Sequence, residues 1–496
     1  MTPAIAEAFR ALQAGDVRTA LEQAQRALAA EPANARAHLV AGMALFRAGR
    51  LDEARAALGR AQQLDPRDHA APYEAGLLAQ QSGHPEAALE CFERSAALRP
   101  DFAAATFAAG VVHAERRQWE RAVACFRRVL ELRPGEAAAL LHLGLALGGS
   151  GDHAGADATL EDAMSRHPHD AGLARAYGQH CAGRGDFARA AALFRQALRL
   201  EPADAALPMF IAQCELLSGR WREGWAAYAA REPRRQFERA ALARGAPYAV
   251  PALAQLRGRT VTIVGEQGLG DTLFFLRWAP GLRDAGAVLR FAGDARLHGL
   301  LGRTGLFESL AEAGPDFAGT QVLAGDLPTV FPQVDPLALP PLPIAPLPQR
   351  LERWKAALAA AGARPWIGVQ WRAGTPREAQ ATALSKNAPL EALFGALAST
   401  GGTLVALQRS PHPGEIDRAS RAAGRAVADF SRVNDDLEDV LAVVALLDRH
   451  VAVSSTTMHL AAAAGATAEV LVPFPPEWRW RAQGDSPWFP GFRVHR

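Results

Sequence analysis

Along the first 230 positions, apolar and small residues recur with the spacing of paired amphipathic helices, and the pattern repeats every 34 residues. The opening stretch MTPAIAEAFRALQAGD already reads as such a helix, with Glu7, Arg10 and Asp16 as its charged positions. Gly42, Gly76, Gly110, Gly144 and Gly178 fall inside the first helix of successive units, and Ala54, Ala88, Ala122, Ala156 and Ala190 inside the second. Small side chains at these places let two helices approach closely. Pro32, Pro66, Pro100, Pro134, Pro168 and Pro202 close the units, since proline stops the second helix and turns the chain. The units run over 1–34, 35–68, 69–102, 103–136, 137–170 and 171–204. A partial seventh follows, with Gly219 at its turn and Gly224 at the alanine position. Its Trp221, Trp225 and Tyr228 are expected to cap the stack against a neighbouring domain.

This periodicity resembles the tetratricopeptide repeat, a helix–turn–helix unit that stacks into a solenoid. The resemblance covers 1–230 and implies an all-α array that holds another polypeptide. In such arrays the inner surface is lined near the fifth, ninth and twelfth positions of each first helix. Here that register selects Leu39, Met43, Phe46, Tyr73, Leu77, Phe107, Val111, Leu141 and Leu145. The set is apolar and lacks the lysine and asparagine clamp for a terminal carboxylate, so it suits the i, i+3, i+4, i+7 face of an amphipathic helix. The alternative is that several of these side chains only pack between repeats.

Residues 231–257 read as a connector rich in arginine (Arg231, Arg234, Arg235, Arg239 and Arg244). A solvated helix face is expected there, with a phosphate-attracting patch as the alternative. The texture changes at residue 258. Thr260–Val264 is a β-branched strand, followed by a glycine loop and a helix; AVLRFAGD and ARLHGLLGRTG repeat the strand–helix order. Pro332, Pro336, Pro340, Pro341, Pro343, Pro346 and Pro348 then crowd a stiff crossing. Beyond it PWIGVQW, GGTLVALQ, RHVAVSS and AEVLVPF are strand-like, with helical segments between them. The expected architecture is two small Rossmann-like lobes, 258–345 and 346–496, with a ligand in the cleft at the carboxyl ends of the strands.

Two segments could carry chemistry. In Gly265-Glu-Gln-Gly-Leu-Gly-Asp-Thr272, Gly268 and Gly270 allow a tight turn and close backbone approach after the first strand. The loop has no lysine for a Walker motif and has Leu273 where a third dinucleotide glycine belongs. Asp271 is either a functional carboxylate or a helix N-cap. In Val453-Ser-Ser-Thr-Thr-Met-His-Leu460, the hydroxyls of Ser455, Thr456 and Thr457 lead from a strand into a helix. That arrangement suits a phosphate, and His459 lies in the first turn. Arg372, after Gln370 and Trp371 at a strand's end, could meet a phosphate or serve in a structural ion pair.

These residues resemble the bacterial GT-B glycosyltransferases of the heptosyltransferase-like group and its tetratricopeptide-fused relatives, over roughly 258–496. The resemblance implies that Asp271, after Gly270, is the general base. It also implies that Ser454 to His459 and Lys386, in ALSKNAPLEAL, meet the donor phosphates. Heptosyltransferases commonly have an aspartate where Ser454 stands. The tail Pro475-Pro-Glu-Trp-Arg-Trp480 and Ser486-Pro-Trp-Phe-Pro490 resembles the ending of the fused relatives. With no DxD motif in a hydrophobic context, a metal-independent reaction without cofactor is expected, the nucleotide-sugar being the substrate. By resemblance to flagellin-modifying fused enzymes, the expected acceptor is flagellin, through Ser or Thr hydroxyls. A scaffold whose transferase half is inactive, or transfer to lipopolysaccharide or another glycan, are the alternatives.

Composition narrows this further. The chain has 496 residues, 49% hydrophobic and 21% charged, as in ordinary globular proteins. A net charge of +2 gives no case for nucleic acid, and no apolar run of about twenty residues suggests a membrane span. The N-terminus lacks the basic start and apolar core of a secretory signal, so a cytoplasmic location is expected. Cys91, Cys125, Cys181 and Cys214 all lie in the repeat half and read as buried packing residues rather than a disulfide or metal set.

Overall fold

The computed structural model describes residues 2–266, 268–312, 319–331, 338–373, 386–481 and 483–496. Pro332 and Pro336 lie outside the described residues. The chain divides into two compact units, one ending at His180 and one running from Cys181 to Arg496.

The first unit is built of antiparallel helix pairs: Pro3–Gln13 with Val17–Ala30, Ala35–Arg47 with Leu51–Leu64, Ala70–Gln81 with Pro85–Leu98, Ala103–Glu115 with Trp119–Leu132, and Ala137–Ser150 with His153–Arg166. The period has a direct packing cause. A methyl group on Gly42, Gly76, Gly110 or Gly144 would lie 2.6, 2.5, 2.8 or 2.5 Å from Leu58, Phe92, Phe126 or Leu160. Each of those large side chains is fully buried in the partner helix of its own pair. The alanines of the second helices, Ala54, Ala88, Ala122 and Ala156, have no exposed surface. Each small residue thus makes room for a large one, and close packing fixes the pair. The prolines stand two residues beyond the second helices, after Ala30, Leu64, Leu98, Leu132 and Arg166.

The second unit begins with helices Phe187–Leu200, Leu207–Leu217, Trp221–Tyr228 and Glu232–Ala243, then turns to α/β structure. Its first sheet holds β1 (Thr260–Val264), β2 (Val288–Ala292), β3 (Ser309–Ala311) and β4 (Thr320–Leu323), in the spatial order β3-β2-β1-β4. The second holds β5 (Trp366–Gln370), β6 (Thr403–Ala406), β7 (Val427–Asp429), β8 (Arg449–Val453), β9 (Glu469–Leu471) and β10 (Arg493–His495), in the order β7-β6-β5-β8-β9-β10. All strand pairs are parallel. Both sheets reverse direction beside their first strand, so each has a crevice there, between β1 and β4 and between β5 and β8. The described prolines 340–346 lie in an irregular crossing, and Pro348 opens helix Pro348–Ala361.

The expected cap is present: Trp225 packs edge-on against Phe275, Trp278, Trp478 and Trp488, at centroid distances of 5.1–6.3 Å. The arginine connector departs from expectation. Arg231 is 2% exposed and pairs with Glu266 at 2.6 Å and Asp326 at 2.8 Å, while Arg234 reaches Asp326 at 3.1 Å. Tyr248 donates to the other Asp326 oxygen at 2.7 Å. Only the outer part of helix Glu232–Ala243, including Arg239, is a solvated face. Two carboxylates from the loops after β1 and β4 draw the buried guanidinium into the first crevice, because an unpaired carboxylate there would be costly.

Candidate functional site

The loop after β1 and the loop after β8 meet through the starts of two helices. Gly268 is the N-cap of helix Leu269–Phe275, which therefore opens two residues before Asp271. Asp271 sits inside the first turn, which removes the N-cap reading for it. Ser455 is the N-cap of helix Thr456–Ala463. A Cβ on Gly270 would stand 2.8 Å from His459 Cδ2 and 3.4 Å from Thr456 Cα, so the missing side chain at 270 is what lets the two helix starts approach.

Four charged side chains link across this junction. Asp271 Oδ1 pairs with Arg479 Nη2, and Lys386 Nζ pairs with Glu477 Oε1. Arg479 Nη1 stands 4.0 Å from Glu477 Oε2, to which Ser454 Oγ donates at 2.9 Å. A carboxylate is therefore present beside position 454, supplied by Glu477. Burial pushes the Glu477 carboxyl up, but Lys386, Arg479 and the Ser454 hydroxyl outweigh it and hold it below the ordinary carboxylate range.

His459 is 7% exposed, with Phe274 and Phe489 edge-on at 6.2 and 5.3 Å. Its Nδ1 has no hydrogen-bond partner among the described residues. Burial, reinforced by Arg479, Arg277 and Lys386, holds its pKa well below the ordinary value, so the ring is neutral at pH 7. His459 can offer an anion a hydrogen bond but no charge. Arg277 is buried under the same aromatic group, its guanidinium 4.1 Å from the Phe274 ring centre, donating to the carbonyls of Phe274 and Trp488. Burial and Arg479 pull its pKa down to about 9, and it keeps its charge.

The structure thus gathers Gly268, Gly270, Asp271, Lys386, Ser455, Thr456, Thr457 and His459 around one junction. The Ser455 and Thr457 hydroxyls both donate to Gln370 Oε1, at 2.9 and 2.6 Å, which ties the β8 loop to the end of β5. Arg372 is engaged elsewhere, in a two-pronged pair with Glu415 at 2.7 and 3.2 Å, the structural alternative for this residue. The sequence reading missed Glu477 and Arg479 as site residues. Their one local signal is the alternation of charge with tryptophan in Pro475-Pro-Glu-Trp-Arg-Trp480, since charges between large apolar side chains tend to be buried and paired. Among the described residues, no group of three His, Cys, Asp or Glu side chains could hold a metal ion. Cys181 and Cys214 are buried, whereas Cys91 and Cys125 are only half-buried; burial pushes the Cys91 and Cys125 thiols up and Cys214 up to about 12.

In the first unit, the proposed groove register needs one correction. Leu39 is 4% exposed and packs in the core with Leu58 and Ala61 of its own partner helix and Leu78 of the next pair, because that face of its helix lies between the two. Phe107 stacks edge-on against Phe126 and His142 at 5.5 and 5.2 Å, and Tyr73 against Phe102 at 5.1 Å. Met43, Phe46, Leu77, Val111, Leu141 and Leu145 are half-buried.

Comparison with known proteins bears on the helical part. The tetratricopeptide repeat family matches residues 5–69, 73–137, 113–171 and 141–205, and a second profile of that description matches 182–244. The chain is 27% identical over 307 residues to Protein FlbA of Caulobacter vibrioides, covering 56% of this chain and 50% of that protein. It therefore spans about half the length of this relative. Among solved structures it is similar to a tetratricopeptide repeat protein from Parabacteroides merdae (19% identity, TM-score 0.39, covering 45% of this chain and 89% of that one). It is also similar to MamA protein (22% identity, TM-score 0.31, covering 33% and 90%). No helix of the described residues is long and apolar enough to cross a membrane. The chain is a tetratricopeptide-repeat-containing protein whose C-terminal region is built on two parallel β-sheets.

Proposed function

We propose that the α/β region is a GT-B-type glycosyltransferase that moves a sugar from a nucleotide-sugar donor to Ser or Thr hydroxyls of a polypeptide recruited by the repeats, with flagellin as the acceptor. One observation carries the reading: a carboxylate after β1, Lys386 after β5 and Arg479 after β9 converge on one junction of two helix starts. Asp271 accepts the proton of the acceptor hydroxyl as the new glycosidic bond forms. The leaving phosphate takes the bonding electrons, and Lys386, Arg479 and the helix start at Ser455–Thr457 receive its charge. His459, neutral, donates one hydrogen bond. The apolar, half-buried positions of the repeat helices suit a helical segment of the acceptor.

The test is the intact mass of flagellin from cells with and without this gene. A mass difference of one or more sugar residues is expected, and its value identifies the sugar. Equal masses would overturn the acceptor assignment. A scaffold without transfer is the second reading, favoured because Asp271 and Lys386 are already engaged by Arg479 and Glu477. It predicts that Val111→Glu with Leu145→Glu abolishes capture of flagellin while flagellin mass is the same with and without the gene.

A further inference from the structure

The two carboxylates of the junction are not equivalent. Glu477 has three partners, Lys386, Ser454 and, at 4.0 Å, Arg479, and its side chain is largely buried. Among the described residues Asp271 has the single ion-pair partner Arg479, and its side chain is 31% exposed against 9% for Arg479. Arg479 itself is incompletely satisfied: its Nε is buried and has no hydrogen-bond partner among the described residues. The His459 Nδ1 likewise has no hydrogen-bond partner among the described residues. Arg277, a second buried guanidinium, has carbonyl partners, and both it and Arg479 lie over the Phe274 ring, at 4.1 and 4.9 Å from its centre. Counting Lys386, Arg479 and Arg277 against Asp271 and Glu477, the cluster keeps one positive charge in excess. A net positive charge beside a buried guanidinium nitrogen without a partner favours the binding of an anion.

We infer that Asp271 occupies the place of a phosphoryl oxyanion on Arg479, and that binding of such an anion displaces the Asp271 carboxylate while Glu477 stays fixed as the anchor of Lys386. The inference rests on the proposed transferase reading and adds to it an order of events. Only after the donor's phosphate has taken Arg479 is the Asp271 carboxylate released toward the acceptor hydroxyl. The exchange is physically reasonable because a partly exposed carboxylate is rehydrated on release, whereas the Arg479 guanidinium, 9% exposed, would lose its counter-charge unless another anion took its place. A phosphate also offers more acceptor oxygens than a carboxylate to an arginine fork. The energetic consequence is a competition: the resting ion pair weakens anion binding, and removing its carboxylate strengthens it.

The experiment is calorimetric titration of the full chain with inorganic pyrophosphate and, separately, with cytidine monophosphate. The two probes separate donors that leave a diphosphate from donors that leave a nucleoside monophosphate. Asp271→Asn is close to isosteric at a partly exposed position and should fold. It is expected to tighten binding of one of the two probes roughly tenfold, the size of one charge-assisted pair. Arg479→Gln should weaken the same probe by at least about tenfold. Should Arg479→Gln not fold, the Asp271→Asn titration decides alone. Unchanged or weaker binding of both probes to Asp271→Asn would overturn the exchange. Because binding is read without any acceptor, this outcome is separable from the flagellin mass test. Tightened binding with no mass difference would leave the anion exchange standing and overturn flagellin as the acceptor, and the reverse pair of results would do the opposite.

Discussion

The two regions of this molecule solve the same problem, burying a chain that carries many charges, in opposite ways. On the outer faces of the repeat helices, ion pairs such as Arg10–Glu7, Arg50–Glu53, Arg128–Glu131 and Arg166–Asp162 lie three or four residues apart with both partners well exposed. Pairs of that kind contribute at most about 1 kcal/mol each, so the repeats are held by volume, glycine and alanine against leucine and phenylalanine. In the α/β region the informative pairs are buried and distant in sequence, 95 residues for Arg231 with Asp326 and 208 for Arg479 with Asp271. Substitutions that change volume should therefore hurt the first region and substitutions that change charge the second.

The largest expected effect is chemical. Asp271→Asn should lower turnover of the donor and acceptor pair by about two to four powers of ten, the usual contribution of a general base. Its melting temperature should barely move, since asparagine keeps the shape and a hydrogen-bonding oxygen for Arg479. Turnover retained by a folded variant would mean that the buried charges of this region are structural and that Asp271 is not the base.

The next effect concerns acid stability. His450 lies on β8, is buried, and has no hydrogen-bond partner for either ring nitrogen among the described residues. Burial pulls its pKa down to about 4, against an ordinary value near 6.5. The unfolded chain then binds the proton more tightly than the folded one, so stability is full above about pH 6.5 and is lost as pH falls toward 4. The loss amounts to about 3 kcal/mol by pH 4. His450→Met should remove this dependence, which urea unfolding at pH 7 and pH 4.5, followed by tryptophan fluorescence of the second unit, would detect. An identical pH dependence in the variant would show that the acid sensitivity comes from the carboxylate pairs instead.

A pair of glycines tests the role of volume in the repeats. A methyl group on Gly76 would meet Phe92 Cε1 at 2.5 Å, while one on Gly59 would meet nothing within 4 Å. Alanine is the better helix former by about 1 kcal/mol, and overpacking costs about 1–3 kcal/mol. Gly76→Ala is therefore expected to lose roughly 1–2 kcal/mol and Gly59→Ala to gain up to about 1 kcal/mol. Equal responses at the two sites would show that the recurring glycine does not set the helix spacing.

What could be read from the sequence divides along the same line. The repeat columns were legible because a packing rule that recurs five times shows itself at a fixed period. In the α/β region, β1, β2, β5, β6, β8 and β9 announce themselves as apolar runs. β3, β4, β7 and β10 do not, since each sits in a stretch without a run of apolar residues and is fixed by its neighbours in the sheet. Within the site, Asp271, Lys386 and His459 sit in recognisable strand–loop–helix motifs. Arg479 and Glu477 do not, because what makes them part of the site is a partner or a neighbour brought near by the fold. Arg231 was misread for the same reason: an arginine ahead of a charged helix looks solvated until two carboxylates from other loops are placed around it.

The smallest effect sits at the one place where the repeats break their own rule. The turns between paired helices place Gly15, Gly49, Gly83, Gly151, Gly185 and Gly219 at φ between +74° and +90°. At the equivalent position between helices Ala103–Glu115 and Trp119–Leu132 the residue is Arg117, with φ +57°. A side chain in this left-handed region costs about 1–2 kcal/mol because Cβ crowds the carbonyl oxygen. Glycine removes that cost but gives the unfolded chain more freedom, worth about 0.5–1 kcal/mol. The Arg117 side chain is exposed, so little packing is lost with it. Arg117→Gly should then raise stability by about 0.5–1 kcal/mol, visible as a higher urea midpoint at unchanged slope. A lower midpoint would mean that the arginine side chain contributes more at the surface than its backbone strain costs, and that charge matters in the repeats after all.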